Sequence, residues 1–280
     1  MKHGESNKDL TRRKFIVGTG ALTGVLAMTG LAGCTSSQEP KAETSTSGDK
    51  QGAEPVSTQP TNSPAVPWVY KKLDVDKVRK LGYEKYFDGG CMYGAANALL
   101  AVLQEEPNSP YHSIPADMFR YGAGGAYSWG TLCGALNGAL AVINLATDKH
   151  PEVGNELIGW YTLFPFPSDK HDAYSKIPKQ VTTVANSPLC HASVSIWCDK
   201  AGAKVNSEEK KERCAKLTGD TAAYAAELLN QALEGKFTPG FRVSEEYAHC
   251  MTCHQGKESK LDNEQGKMNC VTCHDDHTKK

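Results

Sequence analysis

What this chain of 280 residues lacks narrows it before anything present does. Neither sign of charge dominates: 31 Lys and Arg stand against 32 Asp and Glu, a net charge of −1 and a pI of about 6.7. Without a basic surplus there is no electrostatic footprint for nucleic acid or anionic lipid. A glycine-rich phosphate loop, a nucleophile triad and a paired-carboxylate motif are all missing, so phosphoryl and hydrolytic chemistry have no residues to run on. Alternating strand patterns are scarce, which excludes a β-rich fold. There is no internal repeat except one doubled pentapeptide.

That pentapeptide is what the chain has instead. Cys250-Met251-Thr252-Cys253-His254 and Cys270-Val271-Thr272-Cys273-His274 are two copies of C-x-x-C-H, the c-type haem attachment signature. In each, two thiols one helical turn apart add to the vinyl groups of one haem, and the next imidazole takes the iron. The reading is two haem c, held through Cys250, Cys253, Cys270 and Cys273 with His254 and His274 as axial ligands. The same cysteines also read as C-x2-C-x16-C-x2-C, a four-cysteine zinc ribbon. Zinc has no need of the histidine that follows both pairs.

The N-terminus supports attachment outside the cytoplasm. Thr11-Arg12-Arg13-Lys14-Phe15-Ile16 leads into an apolar run from Phe15 to Ala32, a twin-arginine export signal. The run ends in Leu31-Ala32-Gly33-Cys34, which resembles a lipobox and makes Cys34 the acylated first residue of the mature chain. Residues 34–66 are Ser, Thr, Gly, Pro, Gln and Glu with almost no large apolar side chain. Such a segment buries too little to offset chain entropy and reads as a disordered tether. The expected location is the periplasm, or another extracytoplasmic membrane face, with one acyl chain as a modest anchor.

Residues 67–238 read as helical. Cys91 to Gln104 places Cys91, Ala95, Leu99 and Val102 on one face. Ser128 to Ala146 reads as a second helix carrying Cys133, with Gly130, Gly134 and Gly138 every fourth residue for close helix–helix approach. Glu152 to Leu163 is a third. Ser187 caps a short helix to Trp197 with Pro188 in first position. Ser207 to Glu234 is long, with Cys214, Leu217, Tyr224 and Leu228 on one stripe and Gly235 at its end. Of the five cysteines here, Cys91, Cys133, Cys190, Cys198 and Cys214, four lie near helix starts or on inward faces. Four thiolates from different helices suit a [2Fe–2S] or [4Fe–4S] cluster, or zinc. The alternatives are small buried side chains, or two disulfides and a free thiol.

A family resemblance is carried by Gly89-Gly90-Cys91, Gly124-Gly125 followed by Thr131-Leu132-Cys133-Gly134-Ala135-Leu136-Asn137-Gly138, Leu189-Cys190-His191 and Arg213-Cys214-Ala215. These look like the Cys/Gly-Cys-Ala-x-x-Gly/Cys/Cys family of redox proteins. Joined to the paired haem motifs, the chain resembles the split-Soret cytochrome c family. The resemblance implies a mainly α fold: a helical bundle iron–sulfur-type domain (67–238) with a small C-terminal dihaem segment (239–280), behind a signal (1–33) and linker (34–66). It further implies a homodimer with closely packed haems, and it maps the cluster ligands onto Cys91, Cys133, Cys190 and Cys214. Cys198 has no assigned role.

The second axial ligands come from a short list in which His191, His249 and His277 are the leading positions. His277 follows His274 by three residues and cannot reach across its own haem, so it would serve another haem or another chain. His191 adjoins Cys190 and could link cluster and haem, or tune the cluster by a hydrogen bond. The function expected is electron transfer between redox partner proteins rather than catalysis. A haem-dependent reductase of a small oxyanion or peroxide is the alternative, and a structural zinc module the second.

Overall fold

The computed structural model describes residues 64–279. The export signal, Cys34 and nearly all of the 34–66 linker therefore lie outside the described residues. Residues Thr58–Lys280 form one compact unit. The described residues hold six α-helices, short 3-10 turns and two isolated bridges, with no extended strand among them, so the fold is mainly helical as expected. None of these helices is long and apolar enough to cross a membrane.

Helix α1 (Val75–Leu103) contains a break: Gly90 sits at φ 84°, ψ −172°, which a side chain rarely adopts. Beyond it the chain doubles back. A Cβ at Gly94 would lie 2.9 Å from the Tyr86 nitrogen and 3.0 Å from the Gly82 oxygen, and Lys77 near the start pairs with Glu105 past the end. The sequence pattern from Cys91 captured only the second arm. Its first arm begins at Asp74, whose side chain accepts from the Asp76 and Lys77 N–H groups at 3.0 Å.

Helix α2 (Gly134–Ala146) starts later than the expected Ser128, because residues 124–130 form a loop of left-handed conformations and Gly130 itself has φ 73°. Gly134 and Gly138 do lie in the helix, at its approach to the second arm of α1: a Cβ at Gly138 would sit 2.3 Å from the Met92 oxygen. Helix α3 (His150–Leu163) follows as anticipated. Helix α4 (Cys190–Ala201) starts three residues after Ser187, which instead accepts the Leu189 N–H at 3.2 Å within the preceding turn. Helix α5 (Glu208–Leu233) is capped by Ser207 as the sequence indicates, with Gly235 left-handed just past its end. It lies along α1 so closely that a Cβ on Gly82 would be 2.8 Å from the Gly219 Cα. Helix α6 (Glu245–His254) ends in the first haem motif.

At the α1–α5 crossing sits a buried polar cluster. The Asp220 carboxylate accepts from Arg79 at 2.9 Å, His171 Nε2 at 2.9 Å, Ser168 Oγ at 2.6 Å and the Ser168 N–H at 2.9 Å. Tyr174 OH lies 2.8 Å from His171 Nδ1, so a neutral His171 protonated on Nε2 satisfies the chain of bonds. Burial alone would raise the Asp220 carboxyl, but His171 and Ser168 outweigh it and hold it below the usual carboxylate range. A depressed folded-state pKa gives stability that is complete above the unfolded value of about 3.9 and is lost as pH falls through the folded value. Asp220→Asn should therefore flatten the acid limb of a thermal-stability profile below about pH 4. It should also cost about 3–5 kcal/mol at neutral pH, since Arg79 loses its buried partner. An acid limb as steep as the parent's would contradict this.

Candidate redox centres

The four cysteines reach one buried neighbourhood because three of them open helices. Cys91 is the first residue after the Gly90 break, Cys133 is the N-cap of α2, and Cys190 is the first residue of α4. The positive end of each helix dipole thus points where thiolate charge would lie. Cys214, in the second turn of α5, completes the set. A local pairing ties two of these together: Leu132 and Leu189 form an antiparallel bridge, the Cys133 N–H donates to the Pro188 oxygen at 2.9 Å, and the Cys190 N–H to the Thr131 oxygen at 2.7 Å. All four side chains are buried, at 4–8% exposure.

Their charges are coupled. The neighbouring Cys91 thiol, together with Arg213, pulls Cys214 down to about 6 although burial opposes it. The Cys214 thiol, then burial, pushes Cys91 up. Burial and the neighbouring Cys133 push Cys190 up to about 12. Burial also raises Cys133, against the nearby Tyr161 hydroxyl. Behind the thiols runs a second line of fully buried groups: Arg213 donates to Ser193 Oγ at 2.8 Å, and Tyr161 OH donates to the same oxygen at 3.2 Å. The Nε of Arg213 is buried without a hydrogen-bond partner.

Among the described residues no three His, Cys, Asp or Glu side chains are gathered closely enough to hold a metal ion directly. Four thiolates on one zinc, with bonds of about 2.3 Å, would need such a gathering. A cluster whose irons are spaced by sulfide does not, because each thiolate then takes a different corner. The donor set, the helix ends and the orphaned Arg213 Nε fit a cluster better than a single ion. Cys198 is buried on α4 with the Cys214 charge acting on it, and has no identified role.

The tail brings its two motifs together. Cys250 and Cys253 lie on α6, three residues apart, and the Cys250 and Cys270 thiols are within hydrogen-bond reach. His254 Nδ1 is 3.1 Å from Asn263 Oδ1; a proton on Nδ1 leaves Nε2 free to take iron. The His277 ring faces it, centroid to centroid 6.1 Å and nearly perpendicular at 86°. His249 Nε2 is already engaged with Thr278 Oγ1 at 3.3 Å. His274 is exposed. His191 is exposed on the first turn of α4, against Gly130. Position along the sequence had linked His191 to Cys190, but the structure turns its side chain outward while Cys190 is buried.

Core and tail meet over a cavity of about 300 Å3 whose walls include Leu132, Ile158, Phe241, Met268, Arg242 and Lys267. The strand of chain entering the tail is clamped to α3: Glu156 accepts from the Gly240 and Phe241 N–H groups at 2.8 and 2.6 Å, and Phe241 lies on Gly159. Beyond the cavity, Thr272 of the second motif donates to the Asn186 oxygen at 3.5 Å. The sequence reading missed the Arg213–Ser193–Tyr161 line and this clamp. Arg213 could have been noticed as a cation on the apolar stripe of α5, while the clamp left no sequence signal.

Comparison with known proteins bears on these sites. Residues 93–228 match the C_GCAxxG_C_C family of redox-active proteins. The chain is 33% identical over 275 residues to a split-Soret cytochrome c of Desulfovibrio desulfuricans, covering 95% of each. It also resembles a solved structure described as a novel iron centre in the split-Soret cytochrome c of that organism. There the TM-score is 0.69 at 32% identity, over 74% of this chain and 90% of that one.

A Cβ on Gly159 would lie 1.9 Å from the Phe241 ring. Gly159→Ala should therefore unseat the segment around Phe241 and expose Arg242, so that trypsin separates tail from core faster. Melting of the helical core should change little. An unaltered cleavage rate would show that the clamp does not depend on this contact.

Proposed function

Since the chain belongs to the split-Soret cytochrome c family, a family of redox electron-transfer proteins, we propose that it carries electrons between two haems on its tail and an iron–sulfur cluster in its helical core. The observation that carries this reading is the pairing of two C-x-x-C-H motifs with four buried cysteines, three of them at helix starts. Cys250 and Cys253 would hold one haem with His254 as ligand, and Cys270 and Cys273 the other with His274. His277 would be the favoured second ligand of the His254 haem, because its ring faces that of His254, centroid to centroid 6.1 Å. His249, bonded through Nε2, and His191, facing outward, have less support for that haem.

Haem and cluster supply the one-electron chemistry when bound; the chain supplies the rest. Asn263 orients His254. Burial at 4–8% keeps water from the cluster cysteines. The cavity between core and tail has apolar walls with Arg242 and Lys267 among them, which suits the edge of a macrocycle bearing carboxylates. Two of its walls, Leu132 and Pro188, lie within two residues of Cys133 and Cys190, which would put the cavity beside the cluster cysteines.

The remaining features of the reading are export through the twin-arginine signal, acylation at Cys34, an extracytoplasmic membrane site and a homodimer. The exposed aromatic side chains Tyr127 (77%) and Trp129 (81%), in one loop, support a surface that another copy covers. A signal that exports folded protein also suits a domain whose cluster is built in the cytoplasm, while haems are attached to the tail afterwards.

The intact mass of the protein isolated from membranes should equal the chain from Cys34 onward plus its acyl groups and two haems. A mass lacking the haems would overturn the tail assignment, and one beginning elsewhere would overturn acylation. His277→Ala should change the low-spin electron paramagnetic resonance signal of one haem and leave the other. Two unchanged signals would remove His277 as a ligand.

A further inference from the structure

Three cations of the α1–α5 region are buried, and two have carboxylate partners. Arg79 pairs with Asp220 at 2.9 Å and Lys216 with Asp172 at 3.1 Å. Arg213, only 1% exposed, takes part in none of the ion pairs among the described residues. A guanidinium stays charged at any pH a protein survives, so it cannot escape burial by losing its proton. It must be offset by a negative charge nearby. The adjacent buried carboxylate, Glu212, is taken up by Tyr83 OH and the Lys176 N–H at 2.7 and 2.9 Å, and the other groups at hand are thiols: Arg213 acts by its charge on Cys214, Cys133 and Cys190. Its terminal nitrogen is committed to Ser193 Oγ, whose other neighbour is Tyr161 OH. The Nε–H, buried in the same place, donates to nothing.

We propose that Arg213 is the built-in counter-cation of the four-cysteine centre, with its Nε–H donating to a bridging sulfide of the cluster. This rests on reading the four cysteines as cluster ligands. Four thiolates around an iron–sulfide core leave it net negative, which is the charge Arg213 lacks. The consequence is a reduction potential set by the protein. One electron arrives from a one-electron donor such as a tail haem, one iron passes from ferric to ferrous, and no proton is taken up because Arg213 stays protonated throughout. The added negative charge is stabilised by the fixed guanidinium, so reduction is easier than it would be beside a neutral side chain. Ser193 and Tyr161 position Arg213 and do not themselves exchange electrons or protons. Lysine would keep the charge but not the planar fork that reaches Ser193 and a sulfide at once.

The test is a redox titration of the full protein with electron paramagnetic resonance readout, alongside iron and acid-labile sulfide content and resonance Raman spectra. Arg213→Met should lower the cluster potential by at least a tenfold change in equilibrium constant, about 59 mV for one electron, with both haem potentials unmoved. Arg213→Lys should restore most of the potential yet shift the iron–sulfide stretching bands, because the Nε–H bond is gone. Should Arg213→Met fail to assemble, Arg213→Lys alone decides: unshifted bands in the loaded lysine variant overturn the sulfide contact. Loaded Arg213→Met protein with the parent potential overturns the charge role. Parent protein without acid-labile sulfide overturns the cluster reading itself, a different result from either.

Discussion

The reversal of α1 at Gly90 is the constraint on which the rest of the structure depends. By adopting φ 84° it ends one helical arm and starts another within a single residue, so Cys91 stands at a fresh helix N-terminus. There is no room for a side chain on either side of it: a Cβ on Gly89 would enter the Tyr93 ring at 2.4 Å, and one on Gly90 would meet Ala123 at 2.8 Å. The folded-back arm then lies against α2 through Gly138 and against its own first arm through Gly94, while the first arm meets α5 through Gly82 and Gly219. Backbone-to-backbone approach of this kind brings the Cys91 and Cys214 thiols near enough for each to shift the other's pKa.

Stability and function are divided between the two ends of the same helix. The middle of α5 offers Asp220 to Arg79, His171 and Ser168, so the buried cation there has a carboxylate partner. Two turns earlier the same helix offers Arg213 and Cys214, where a charge is left without one. A protein selected only for stability would replace such an uncompensated cation with an apolar side chain. That is the physical ground for proposing a negatively charged occupant at this place.

Much of the candidate site was legible in the sequence, and for a physical reason. Haem attachment needs two thiols and an imidazole at fixed local spacing, so Cys250, Cys253 and His254 announce it without any fold. The four core cysteines were legible through family resemblance more than through spacing, since no two of them form C-x-x-C. What failed to show was set by tertiary approach. The loop that takes Gly130 out of α2 arises from left-handed residues at 124–130, yet its glycines continued the four-residue spacing of the helix. The outward turn of His191 follows from where the Leu132–Leu189 bridge fixes the start of α4. Neither the folding back of α1 nor the missing partner of Arg213 could be read from a linear pattern.

The central claim is that the buried four-cysteine volume is a redox centre distinct from the haems of the tail. Mössbauer spectroscopy of protein grown on iron-57 tests it most directly, because it resolves every iron in the molecule by coordination. The account predicts two classes: haem iron, and tetrahedral sulfur-ligated iron that is absent when Cys91 and Cys214 are both serine. A spectrum containing haem iron alone, in protein isolated without oxidative damage, would contradict it.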